Sequence, residues 1–240
     1  MLKSTPERIL STMLWVLGFG GAGVAGYFSL RAAGVVGELP RGEGGNFLVS
    51  TLTTTSTKEE FVRAVMSAAA AADASLSTET RALLAAWAAH ESGWGKTKQA
   101  KLGNNIFNVS KGSWTGPTIA GGDTEYEAGS NEAKKITQQW RQYATLEAAI
   151  SDLLALLKNS RYINYREAHV ALLDGQQSFA TRLGVFERIN GTVTRVENRP
   201  DTAGFYTQPR SEYQKGINDT RVVVKGAMAS MGLAGLKLNS

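Results

Sequence analysis

A chain of 240 residues, 42% hydrophobic and 20% charged, carries enough apolar mass for one large folded domain plus an appendage and lacks the composition of a disordered polymer. The absence of cysteine excludes disulfide frameworks, thiol nucleophiles and cysteine-bound zinc or iron–sulfur centres, and two histidines, His90 and His169, are too few for a histidine-rich metal site. The formal charge of +5 comes from Lys and Arg scattered along the chain, which fits solubility with a weak preference for anions and gives no expectation of nucleic-acid binding.

The first element is the uncharged run Ile9–Leu30 between Arg8 and Arg31, about 22 residues, or ~33 Å as a helix, enough to cross a bilayer. Gly18, Ala22 and Gly26 recur on one edge, as in helices that approach closely in lipid. Residues 1–33 therefore read as a membrane span. A cleavable secretion signal ending near Ala32-Ala33-Gly34 and an apolar plug in a larger assembly such as a virion are the alternatives. Basic residues flank both ends about equally, so charge does not set the orientation. Residues 34–57 have the Gly-, Ser- and Thr-rich composition of a linker, residues 58–232 should form the folded domain, and 233–240 a tail.

Thr57 and Glu60 form a capping box that predicts a helix over 58–73. Ser77 caps a second, in which Leu83, Leu84, Trp87, Ala88 and Glu91 share one face, with Gly93 ending it. Glu91 thus continues an apolar stripe in a last turn whose dipole disfavours a carboxylate. Both effects should raise its pKa, as a general acid requires; the bland reading is a solvated terminal glutamate. Residues Gly122 to Gly129 alternate polar and aromatic side chains between glycines, which predicts a strand or hairpin bearing Glu125, with Glu127 at the same parity. A solvated edge-strand charge is the plain alternative for Glu125. Thr145 caps a core helix over Leu146, Ala149, Ile150, Leu153, Leu154 and Leu157. Tyr162 to Leu173, Ser178 to Leu183 and Glu212 to Met228 predict three more helices, and Asn190-Gly191 predicts a two-residue hairpin turn.

Glu91-Ser92-Gly93-Trp94-Gly95 is followed by Asn104-Asn105-Ile106-Phe107-Asn108-Val109 and Gly112-Ser113-Trp114-Thr115-Gly116. Asp123-Thr124-Glu125-Tyr126-Glu127, Glu132-Ala133-Lys134-Lys135 and Trp140-Arg141-Gln142-Tyr143 come next in order. This series resembles glycoside hydrolase family 73, the bacterial and phage β-N-acetylglucosaminidases that cut peptidoglycan, over about residues 58–230. The Gly-Leu-Met-Gln signature of lytic transglycosylases is missing, which favours hydrolysis by water.

The resemblance implies an α+β, mostly helical, lysozyme-like domain with a small β lobe, preceded by the N-terminal apolar helix. It implies Glu91 as catalytic acid and Glu125 as the second carboxylate that orients or activates water. Asn105, Phe107, Trp114, Tyr126 and Tyr206 are the candidate glycan contacts, Phe107 being equally readable as core. Trp94 reads as packing on the helix turn. The expected activity is endo-β-N-acetylglucosaminidase cleavage of β-1,4 bonds in peptidoglycan, with neither metal nor organic cofactor. A bacterial envelope location is expected, anchored in the inner membrane and facing the periplasm, or else a phage virion. The competing expectation is a structural component of a phage tail or envelope-spanning machine that uses the domain mainly to bind the wall. The stretch 185–203 departs from the family as a hairpin insertion that could extend the cleft or dock a partner.

Overall fold

The computed structural model describes residues 57–126 and 133–233. The expected membrane span, linker and tail lie outside these residues. Among the described residues, no helix is long and apolar enough to cross a membrane.

The elements run in the order α1 (Lys58–Ala72), α2 (Thr78–Ser92), α3 (Lys98–Gly103), β1 (Thr118–Tyr126), β2 (Ala133–Arg141), α4 (Leu146–Lys158) and α5 (Ile163–Leu173). They continue with α6 (Phe179–Arg182), β3 (Phe186–Ile189), β4 (Thr192–Arg195) and α7 (Arg210–Ser230). The described residues are mostly helical, with two separate two-stranded antiparallel sheets among them. Residues Gly112–Trp114 belong to a different compact unit from these elements.

Local chemistry sets the helix starts. The Thr57–Glu60 capping box forms in both directions, and Ser77 and Thr145 each accept a main-chain N–H at the start of α2 and α4. Helix α2 departs from the one-sided burial expected of it. Every residue from Ala82 to Ala89 is buried, because the alanines between Leu83, Leu84 and Trp87 let neighbours close in on all sides. Helices α1, α5 and α7 pack around it, which makes α2 the central rod of the body. Trp87 meets Phe107, Phe179 and Phe205 at ring-centroid distances of 5.3, 5.2 and 5.4 Å, a cluster whose truncation at Trp87 would cost ~3–5 kcal/mol.

Two features seat α7 against α2. Arg221 pairs with Glu79, both side chains about a tenth exposed (9% and 11%). Gly216 supplies the other, since a Cβ there would stand 2.4 Å from Cε1 of His90.

Strands β1 and β2 form a nine-pair ribbon from Thr118↔Arg141 at its root to Tyr126↔Ala133 at its far end. Among the described residues, the root is fastened to the body. Ile119 and its cross-strand partner Trp140 are buried there, Arg141 N donates to Val109 O at 3.1 Å, and Arg141 forms a 2.7 Å ion pair with Asp152 of α4. The second sheet is the hairpin expected at Asn190-Gly191, both of which adopt left-handed backbone (φ +49° and +82°) between β3 and β4. It is stapled to the start of α7: Arg188 donates to Glu212, and Glu187 accepts from Arg210 at 2.9 Å and from Ser211 at 2.8 Å.

Candidate active site

Glu91 lies in the last turn of α2. The helix stops beyond it because Gly93, Trp94 and Gly95 take left-handed backbone with φ of +56°, +63° and +76°. Ser92 ties this turn by donating to Ala88 O at 2.5 Å and accepting Gly95 N–H at 2.8 Å. A tryptophan at positive φ costs ~1–2 kcal/mol, offset here by packing: Phe61 meets the Trp94 ring edge-on at 5.8 Å and Lys58 Nζ lies 5.0 Å from its centre. Trp94 thus packs on the helix end.

Both carboxylate oxygens of Glu91 have neutral donors. Asn108, itself left-handed at φ +51°, directs its Nδ2 to Glu91 O at 2.6 Å and to Oε2 at 3.2 Å. The main-chain carbonyl has no partner within the helix, so one amide both caps α2 and relieves the repulsion between its negative end and the carboxylate. Tyr213 of α7 donates its hydroxyl proton to Glu91 Oε1, and its oxygen accepts the indole N–H of Trp87 at 2.7 Å. Tyr206 stacks on Tyr213 with centroids 3.6 Å apart and donates its own hydroxyl to Ala180 O at 2.7 Å. His90 covers Tyr213 edge-on at 5.2 Å.

These surroundings fix protonation. Burial, then the negative charge of Glu91, pushes the Tyr213 phenol well above its usual pKa, so it remains a donor. Burial, then the charge of Glu187, does the same for Tyr206. Burial lowers the pKa of His90 and keeps its ring neutral at neutral pH. Among the described residues, no group of three or more His, Asp or Glu is arranged to hold a metal ion.

The residues expected to hold a glycan are distributed differently. Asn105 is fully buried; its Nδ2 donates to Val109 O and Arg141 O at 2.8 Å each, and its Oδ1 accepts Val109 N–H at 2.9 Å. Its amide is consumed in pinning the Asn108 loop to the root of β2, which corrects the expectation of a direct glycan contact. Phe107 is 1% exposed and edge-on to Trp87, so it is core. Trp114 is half-buried just after the turn at Gly112 and Ser113. Tyr206 is half-buried beside the Glu91 cluster. Glu125 pairs with Lys134 and Tyr126 with Ala133 near the far end of the ribbon, with side chains outside the described part.

Trp87, Asn108 and Tyr213 were not assigned roles from the sequence. Trp87 falls on the apolar face of its helix, Tyr213 lies within the helix predicted over Glu212 to Met228, and Asn108 carried a signal only as part of the Asn104–Val109 motif.

A glycosidic acid needs a carboxyl held in one orientation beside an open face, and this cluster supplies the holding groups. Comparison with known proteins places it in a family. The family model described as mannosyl-glycoprotein endo-β-N-acetylglucosaminidase matches residues 67–191. Peptidoglycan hydrolase FlgJ of Escherichia coli (strain K12) is 42% identical over 87 residues, 33% of this chain and 27% of that protein. FlgJ of Salmonella typhimurium (strain LT2) is 42% identical over 86 residues, with the same shares, so the chain spans about a quarter of the length of these curated relatives. The crystal structure of a peptidoglycan hydrolase mutant from Sphingomonas sp. A1 shares the fold, with a TM-score of 0.52 and 26% identity over 72% of this chain and 99% of that one. The match takes in more than half of the sequence, including both Glu91 and Glu125, and the chain belongs to the glucosaminidase family, glycoside hydrolase family 73.

Proposed function

We propose that this protein hydrolyses β-1,4 glycosidic bonds of peptidoglycan on the N-acetylglucosaminyl side, as an endo-β-N-acetylglucosaminidase of lysozyme-like architecture. The observation that carries the reading is Glu91 fixed between Tyr213 and Asn108 at the end of a buried helix. Glu91 gives its proton to the bridging oxygen as the bond to the anomeric carbon breaks. Water adds to that carbon, and Glu125 orients it or takes its proton. With sugar bound on an inverting route, the two carboxyl groups stand ~6.5–9.5 Å apart. Tyr206, Trp114 and Tyr126 contact the glycan. The apolar run 9–30 anchors the chain in the bacterial inner membrane with the domain in the periplasm, for local opening of the wall. A place in a phage virion is the other setting that this run allows.

The test is to digest purified peptidoglycan with the full chain, reduce the products with borohydride and identify the new reducing end by mass spectrometry. Reduced glucosamine is expected, and none from Glu91→Gln. Reduced muramic acid would move the specificity to the lysozyme bond, and full activity in Glu91→Gln would remove the acid from this position. Recovery of the full chain in the membrane fraction checks the anchor.

A further inference from the structure

Trp87 stands one helical turn before Glu91 and is fully buried among aromatic rings, an environment that any large apolar side chain could fill. Its one polar atom has a specific use. An indole N–H can only donate, and here it donates to the Tyr213 hydroxyl at 2.7 Å. A phenol has a single proton. With a donor already seated on its oxygen, that proton is directed to the remaining acceptor, Glu91 Oε1.

We propose that Trp87 is a positioning residue for the acid: its indole N–H commits the Tyr213 proton to Glu91 Oε1, so that the proton Glu91 delivers resides on Oε2. This rests on the reading of Glu91 as the acid. Oε2 faces Asn108 Nδ2 at the longer distance of 3.2 Å, whereas Asn108 spends its short contact, 2.6 Å, on the main-chain carbonyl. In the reaction the proton leaves Oε2 for the bridging oxygen. The electron pair of the O–H bond stays on Glu91, and that of the broken C–O bond goes to the leaving oxygen. Throughout, Oε1 remains an acceptor and keeps the carboxyl plane fixed.

Removing the indole N–H frees Tyr213 to turn. Its proton can then leave Oε1, and its oxygen can accept a proton from a protonated Glu91 instead. Both changes favour the protonated acid, so the pKa of Glu91 rises. Among the described residues, the other groups facing the pair include His90 on α2, Asn108 on the loop after α3, and Tyr206, backed by Glu187 of β3 and Arg210 of α7, and these stay in place.

The experiment is a direct titration of Glu91 in the full-length protein by 13C NMR with labelled glutamate, the signal assigned by its loss in Glu91→Gln. Trp87→Phe keeps an aromatic ring and removes the donor. A rise of about half a pH unit is expected for Trp87→Phe and up to about one unit for Tyr213→Phe. The double variant should match Tyr213→Phe alone. On peptidoglycan, Trp87→Phe should lower kcat with KM unchanged and move the basic limb of the rate profile upward by the same amount. An unchanged Glu91 titration in Trp87→Phe overturns the proposal, and so does an equal shift in the Tyr213→Phe background. If Trp87→Phe does not fold, the Trp87 indole N–H resonance is read in the parent and in Tyr213→Phe: loss of the acceptor should move it upfield and speed its exchange, and an unmoved signal overturns the proposal. Normal hydrolysis by Glu91→Gln would instead sink the acid assignment while leaving the coupling of Trp87, Tyr213 and Glu91 intact.

Discussion

Glu91 and Glu125 are carried by elements fastened in opposite ways. Glu91 ends a rod enclosed by α1, α5 and α7, and both of its oxygens are held by side chains remote in sequence. Glu125 is one pair from the far end of a two-stranded ribbon, seven residues or ~23 Å along the strand from the root at Thr118. A two-stranded ribbon has little stability of its own. Among the described residues, Glu91 is therefore held by side chains from other elements, whereas Glu125 is placed by the pairing of its strand.

Four experiments break or sharpen this contrast. The largest effect belongs to Glu91→Gln, which should slow peptidoglycan digestion ~10²–10⁴-fold without lowering the melting temperature, measured by turbidity loss and scanning calorimetry. Next is the buried pair that locks α7 to α2: Arg221→Met strands Glu79 and should cost ~3–5 kcal/mol, read as a lower denaturant midpoint. Ile119→Ala, at the ribbon root, should instead reduce activity several-fold with a smaller loss of global stability. Equal losses of stability in these two variants would mean that ribbon and body unfold as one tightly coupled unit.

The smallest effect is set by pH. Burial lowers the pKa of both His90 and His169, the charge of Lys158 adding to the effect at His169. The unfolded chain therefore takes up protons first as pH falls. Stability is complete above the unfolded value of about 6.5 and declines as pH drops through the lower folded values, and His90→Gln should flatten that part of a stability–pH curve.

What could be read from the sequence was the local chemistry. The caps at Thr57, Ser77 and Thr145 and the Asn190-Gly191 turn depend on residues at most a few positions apart, and each forms as its spacing implies. What escaped depends on contacts between distant segments. A buried phenol on α7 and an amide on a loop meet the same carboxylate, a meeting that the pattern within either segment does not encode. Val170 and Leu173, expected to extend the apolar pattern of α5, are 58% and 39% exposed, because that helix buries its other face through Asn164, Tyr165, Ala168 and Leu172. Asn105 shows how a motif can mislead about role: the residue supports the site from inside, by fastening the loop that presents Asn108.

Gly216 gives this arrangement a vulnerability that matters to anyone engineering the protein. Replacing a mid-helix glycine by alanine ordinarily gains up to ~1 kcal/mol, so helix propensity alone would favour the exchange. Here the added methyl would collide with the His90 ring that rests on Tyr213, one turn from the substitution. The contact therefore opposes helix propensity at this position: Gly216→Ala should lower stability unless the ring moves, and a ring displaced from Tyr213 would loosen the hydroxyl that holds Glu91.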